Sequence, residues 1–98
     1  MSDPTLPLRI FSPLEDFFSG EITSLSSVNS KGAFDILPSH ADFISLVDKK
    51  TIKIVLPTGE RKEFEFNQAV VRVHQGKVEV FTDFAKAEEL LPEMKIVG

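Results

Sequence analysis

The chain has 98 residues, 42% of them hydrophobic and 27% charged, which is enough for one domain with a single core and too apolar for a disordered segment. A net charge of −4 gives no electrostatic reason to bind nucleic acid or anionic lipid, and the absence of Cys removes disulfides, thiolate metal sites and cysteine nucleophiles together. The start, Met1-Ser2-Asp3-Pro4-Thr5-Leu6-Pro7, has neither the basic residues nor the apolar stretch of a signal peptide, and no apolar run reaches membrane-spanning length.

Taken in chain order, the dominant hydrophobic period is two, the mark of strands with one wet face. Leu8 and Ile10 flank Arg9. A turn signal at Ser19-Gly20 precedes a strand from Glu21 to Val28, and Asn29-Ser30-Lys31-Gly32 reverses the chain into a strand from Ala33 to Leu37. After Pro38-Ser39 comes Phe43 to Val47, and after Asp48-Lys49-Lys50 comes a strand in which Ile52, Ile54 and Leu56 alternate with Lys53 and Val55. Pro57-Thr58-Gly59-Glu60 makes a hairpin into Phe64 and Phe66, which alternate with Glu63 and Glu65. Ala69 to His74 and Lys77 to Phe81 form a second hairpin about Gln75-Gly76. At the tail, Asp83 caps a short helical segment, Phe84 to Leu91, which Pro92 stops. The fold class that follows is all-β: a two-layer antiparallel β-sandwich of about nine to ten short strands with one short C-terminal helical segment. The whole of residues 1–98 forms one domain. Ile10, Ile22, Ile36, Ile54, Phe64, Phe66, Val71 and Val80 are the expected core. The nine Phe, with no Trp or Tyr, read as buried bulk rather than as a stacking platform.

Catalytic chemistry finds little support. The five Gly are too scattered to cradle a phosphate. Asp35, His40 and Asp42 are the one local grouping of imidazole and carboxylates, and they read as surface polar residues more readily than as metal ligands. His74 belongs on an exposed strand face. Glu63 and Glu65 share a wet face, where nothing separates their pKa values for acid–base work. No serine has an elbow, a His and an Asp around it. No cofactor and no small-molecule substrate is implied.

Several segments, in order, carry a family resemblance: Leu8-Arg9-Ile10, Phe18-Ser19-Gly20, Gly32 with Ile36-Leu37-Pro38, His40-Ala41, Ile52-Lys53-Ile54, Gly76-Lys77-Val78 and Phe81-Thr82-Asp83. Over residues 8–84 the chain resembles the N-terminal β-sandwich domain of the epsilon subunit of F-type ATP synthases. It departs from that pattern at Ala33, where the family often has an acidic residue, at Ser39 and Asp42 in the proline turn, and at Asn67-Gln68-Ala69. The resemblance implies a non-catalytic central-stalk subunit that couples the gamma shaft to the c-ring during proton- or sodium-driven ATP synthesis. Such a subunit is peripheral, at the cytoplasmic face of the inner membrane, with no direct membrane insertion. It also implies that Lys31, Gly32, Ala33 and Phe34 meet the c-ring, and that Ser12, Ser39, His40 and Ala41 lie near gamma. Longer relatives continue into an inhibitory helical hairpin. This sequence ends at Gly98 after one helical candidate, so the expectation is coupling without that inhibition. The alternative is a free-standing β-sandwich protein-binding module.

Overall fold

A computed structural model describes residues 4–82. They contain nine strands: β1 Leu6–Phe11, β2 Asp16–Ile22, β3 Ser24–Asn29, β4 Gly32–Ile36, β5 Phe43–Asp48, β6 Thr51–Val55, β7 Arg61–Glu65, β8 Gln68–His74 and β9 Lys77–Phe81. They form two layers, a five-stranded sheet in the order β2-β1-β9-β8-β5 and a four-stranded sheet in the order β4-β3-β6-β7. The expected helix over Phe84 to Leu91 lies outside the described residues.

Two expectations about the layers need correcting. The arrangement is not wholly antiparallel, because β1 and β9 pair in parallel, with Leu8 opposite Val78 and Ile10 opposite Val80. These two strands meet in the middle of the sheet without a hairpin to set their direction, so burial of the facing aliphatic rows decides it. The strand expected from Glu21 to Val28 is two strands broken at Thr23. Ile22 and Leu25 are both fully buried. Their odd spacing would put them on opposite faces of one continuous strand, since side chains alternate with period two. At Thr23 the chain instead crosses from one layer to the other, its amide and hydroxyl both donating to the Val55 carbonyl at 2.8 and 3.2 Å. Ser19-Gly20, expected as a turn, lies inside β2, with Gly20 opposite Leu8. A Cβ on Gly20 would meet the Phe18 ring at 3.5 Å, so the ring lies along the strand over the place a side chain would occupy.

The hairpins follow their residues. Gln75 and Gly76 have φ of 51° and 76° between β8 and β9, the all-positive pair of a type I′ turn whose twist matches the flanking strands. Between β6 and β7 the Gly59 amide donates to the Leu56 carbonyl at 2.8 Å, and Gly59 at φ 92° takes the left-handed position that closes the loop.

Of the eight residues expected inside, Ile10, Ile22, Ile36, Ile54, Phe66, Val71 and Val80 are buried, joined by Leu25, Ile52, Val47, Val73 and Val78. Phe64 is only partly buried. Phe as a class was assigned the wrong place: of the eight described, Phe66 alone is in the core, while Phe17, Phe18, Phe34, Phe43 and Phe64 pack against it from outside. Branched aliphatic side chains fill the gap of about 10 Å between stacked sheets. The rings instead seal the open sides of the sandwich. Phe17 and Phe18 on the edge strand β2 meet Phe66 and Phe64 at 5.3 and 6.4 Å, and Phe34 on β4 meets Phe43 on β5 at 5.2 Å.

Candidate functional site

The polar groups that the sequence offers for chemistry do not converge. Asp35 accepts a hydrogen bond from Ser26 Oγ at 2.6 Å, and His40 Nδ1 lies 2.7 Å from its neighbour's carbonyl at Ala41. Asp42 turns away from both, 3.0 Å from His74 Nδ1, and its other oxygen accepts the Gln75 amide at 3.1 Å. The Gln75 amide, then His74, hold the Asp42 carboxyl below its ordinary value. His74 is exposed as expected, but its partner, 32 residues away, is a product of the fold. No group of three or more metal-ligating side chains occurs among the described residues.

What stands out is a difference between the two outer faces. On the four-stranded sheet most outward residues are polar and several are mutually engaged, as in Ser26 with Asp35 and Thr51 with Glu65 at 3.2 Å, with Val28 the exposed apolar exception. On the five-stranded sheet, register aligns Leu46 with Val70, Val70 with Phe81, and Phe81 with Phe11, an apolar stripe across β5, β8, β9 and β1. Leu46 is 54% exposed and Phe81 40%, and the Phe11 and Phe81 rings meet edge to face at 5.5 Å. The adjacent row runs from Ile44, 68% exposed, through Arg72 and Glu79 to Arg9. Its charges are taken up locally: Arg72 pairs with Glu79 at 3.3 Å, Arg9 with Asp16 at 2.9 Å, and the Arg9 guanidinium sits 4.0 Å over the Phe11 ring. The face therefore offers apolar area with its charges already neutralised, a surface suited to a protein partner.

The expected contact residues fall into separate places on this frame. Lys31, Gly32 and Ala33 are exposed at the tip of the β3–β4 hairpin, where Asn29 Oδ1 accepts the Lys31 amide at 2.8 Å. Phe34 is half-buried against Phe43 and belongs partly to the seam. Ser39, Ala41 and His40 lie at the other end of β4. The turn there has Ser39 at φ 70°, the His40 amide donating to the Leu37 carbonyl at 3.0 Å, and the imidazole 5.5 Å from Phe43. Ser12 is not beside them. It follows β1, separated from β5 by β9 and β8, and its buried hydroxyl accepts the amides of Leu14 and Glu15 at 3.2 Å each. Ser12 thus builds a turn that presents Leu14, 62% exposed, at that corner. Ser12 and His40 occupy opposite ends of the five-stranded sheet, beside strands β1 and β5; the apolar stripe runs across the Ser12 end, and Ile44 on β5 lies between it and the His40 end.

Phe11, Leu14, Ile44, Leu46 and Phe81 were not singled out by sequence reasoning. A signal existed: Phe43-Ile44-Ser45-Leu46-Val47 and Val80-Phe81 carry apolar residues at both parities, so these strands are apolar on two faces.

Residues 5–88 match the family model described as the ATP synthase, Delta/Epsilon chain, beta-sandwich domain. The ATP synthase epsilon chain of Psychrobacter cryohalolentis is 32% identical over 93 residues, which cover 95% of this chain and 67% of that one. The epsilon chain of Wolinella succinogenes is 33% identical over 82 residues, covering 84% and 63%. Among solved structures, a chain of the Euglena gracilis mitochondrial ATP synthase (OSCP/F1/c-ring) superposes with a TM-score of 0.75 at 12% identity, covering 84% of this chain and 52% of that one. One from the central stalk and c-ring of the Tetrahymena thermophila mitochondrial enzyme gives 0.70 at 10%, covering 85% and 66%. At those identities the likeness is one of fold. The chain spans about two thirds of its epsilon-chain relatives and about half of the Euglena chain. With a sandwich of the same architecture, an apolar outer face and a family match over most of its length, the chain belongs to the ATP synthase delta/epsilon family and carries that family's β-sandwich domain.

Proposed function

We propose that this protein is a non-catalytic subunit of the central stalk of a rotary ATP synthase, coupling the gamma shaft to the c-ring during proton- or sodium-driven ATP synthesis. The single observation that carries the reading is the apolar stripe Leu46, Val70, Phe81 and Phe11 on the outer face of the five-stranded sheet, with Leu46 and Phe81 exposed and Val70 and Phe11 half-buried. A partner seated on this stripe meets the corner of Ser12 and Leu14 at one end, and Ile44 extends the apolar surface along β5 toward Ser39, His40 and Ala41. The β3–β4 tip, Lys31 to Phe34, projects from a different part of the sandwich and is assigned to the polar loops of the ring. Residues 1–98 act as one β-sandwich unit, peripheral at the cytoplasmic face of the membrane. Rigidity suits this role, because an interior packed to crystal-like density transmits force with little compression.

No cofactor or substrate belongs to this function. A free-standing binding module would present the same face to another protein, and association with gamma separates the two.

The test is co-purification with tagged gamma from the same organism. The unaltered chain is retained. Leu46→Lys combined with Phe81→Lys abolishes retention while the thermal transition stays in place, and Lys62→Glu on β7 has no effect. Retention of the double variant at the level of the unaltered chain would refute the assignment of this face.

A further inference from the structure

The β3–β4 hairpin outruns its own sheet. β3 pairs with β6 only from Ser24 to Ser26, and the Ser27 hydroxyl, donating to the Thr51 carbonyl at 2.9 Å, carries that edge one residue further. Beyond it, Val28 and Asn29 pair only with Ala33 and Gly32 of β4. A two-stranded ribbon is marginal by itself in water. The covalent links from this hairpin to the five-stranded sheet, the crossover at Thr23 and the connection of residues 37–42, both leave from the end opposite the tip.

What holds the far half of the hairpin lies across the gap between the layers. Asn29 follows the exposed Val28, and Ser45 stands between the exposed Ile44 and Leu46, so by alternation both point inward. Asn29 Nδ2 donates to Ser45 Oγ at 2.9 Å, and Ser45 Oγ donates in turn to the Leu46 carbonyl at 3.3 Å. Asn29 Oδ1 accepts the Lys31 amide at 2.8 Å. That amide can only donate, so the side-chain oxygen faces the turn and the amino group is left for Ser45. One side chain thus shapes the tip and ties it to a strand of the other sheet. The Phe34 and Phe43 rings, 5.2 Å apart, make a second crossing from β4 to β5. The two crossings differ in kind: apolar contact resists separation of the layers without fixing direction, whereas a hydrogen bond is directional. Other side-chain pairs stay within one layer, Ser26–Asp35 and Thr51–Glu65 in the four-stranded sheet, Arg72–Glu79 and Asp42–His74 in the five-stranded one.

We propose that Asn29 is a positioning residue: through Ser45 it fixes the β3–β4 tip relative to the apolar stripe of the five-stranded sheet, so that the two surfaces reach their partners as one rigid body. This rests on the stalk reading above, which gives tip and stripe different partners, and it names the contact that makes the two attachments interdependent. A tip already held in place needs no further ordering when the second attachment forms. A released tip must be ordered on binding, which weakens the two-site complex and leaves a one-site complex through the stripe unchanged.

The experiment has two readouts on the full chain. The sequence has no Cys, so Lys31→Cys with Lys77→Cys takes spin labels at the tip and on β9, and pulsed electron paramagnetic resonance gives the distribution of distances between them. Ser45→Ala removes the cross-layer bond and leaves the Lys31 amide its acceptor; it is expected to broaden the distribution. Asn29→Asp, whose carboxylate accepts both the Lys31 amide and the Ser45 hydroxyl, keeps it narrow, as does Ser26→Ala, which breaks a bond within one sheet. In the second readout, the unlabelled Ser45→Ala chain binds purified gamma from the same organism as the unaltered chain does, but binds the ring–gamma assembly about three- to tenfold more weakly. Asn29→Asp restores that loss, and Asn29→Ala, which removes the same bond from the other side, shows the same split between the two partners. An equally narrow distribution in Ser45→Ala, or equal losses toward gamma alone and toward the assembly, overturns the inference. Failure of the unaltered chain to bind gamma or the assembly refutes the stalk reading itself, while the distance distributions, which need no partner, decide the role of Asn29 separately.

Discussion

Replacing Phe66 by Ala tests the division of labour between an aliphatic interior and aromatic seams. Phe66 is 8% exposed, with Phe17 at 5.3 Å and Phe64 stacked at 6.3 Å. Truncating a buried Phe to Ala costs about 3–5 kcal/mol through lost transfer energy and the cavity left behind. Here the cavity opens beside an edge, where Phe17 and Phe64 have room to settle, so the lower half of that range, about 3–4 kcal/mol, is expected. Phe64, partly buried on the same strand edge, should cost about 1–2 kcal/mol, since less area returns to water. Urea denaturation of the full chain, followed by backbone circular dichroism, yields both values if the slope with denaturant is unchanged. Domains of this size have total stabilities of about 5–15 kcal/mol, so Phe66→Ala remains measurably folded only from the upper part of that range, and a stabilising osmolyte in both arms keeps the difference readable. Equal losses for Phe64 and Phe66, or a Phe66 loss below about 1 kcal/mol, would refute the packing argument.

Three further outcomes follow from the structure. Gly76→Ala should destabilise the β8–β9 hairpin by about 1–2 kcal/mol, because Gly76 has φ 76°, which a Cβ disfavours; an unchanged midpoint would show the turn relaxing to another type. The Asp42 carboxyl should titrate below its ordinary value of 3.8. A depressed folded-state value means that its contribution to stability is present above the unfolded value and is lost as pH falls through the folded one. Asp42→Asn should therefore flatten that part of the acid unfolding profile, and an NMR titration midpoint at or above the ordinary value would contradict the Gln75 and His74 contacts. Calorimetry of the 98-residue chain with ATP should give no saturable heat, and potent inhibition of the cognate ATPase, abolished by cutting after Asp83, would reveal a regulatory tail.

Alternation of apolar and polar residues was enough to identify most of the strands and most of the side chains that point inward, but not β2, whose Ser19-Gly20 reads as a turn and whose end merges with β3 in the sequence. Leu8 and Ile10 about Arg9, and Ile52 and Ile54 about Lys53, are buried and exposed in the order their period demands, because a strand's side-chain directions are set within a few residues. The two hairpins were legible for the same reason, their positive φ values being supplied by Gly59 and Gly76. The ordered segments from Leu8-Arg9-Ile10 to Phe81-Thr82 also pointed to the family that the comparisons show.

What local pattern could not supply is whatever depends on which strands become neighbours. The parallel pairing of β1 with β9 joins the two ends of the described chain. The Asp42–His74 contact joins residues 32 apart because β5 and β8 are neighbours in one sheet, and the aromatic seams exist only because edge strands of different sheets come to lie side by side. The stripe from Leu46 to Phe11 is written along no single strand, since each of the four contributes one residue and only register aligns them. Ser12 and His40 are likewise set at opposite ends of a sheet by strand order. Side-chain direction is a property of consecutive residues, so the sequence carries it openly; a surface is a property of residues far apart in the chain, and tertiary packing alone decides which of them share it.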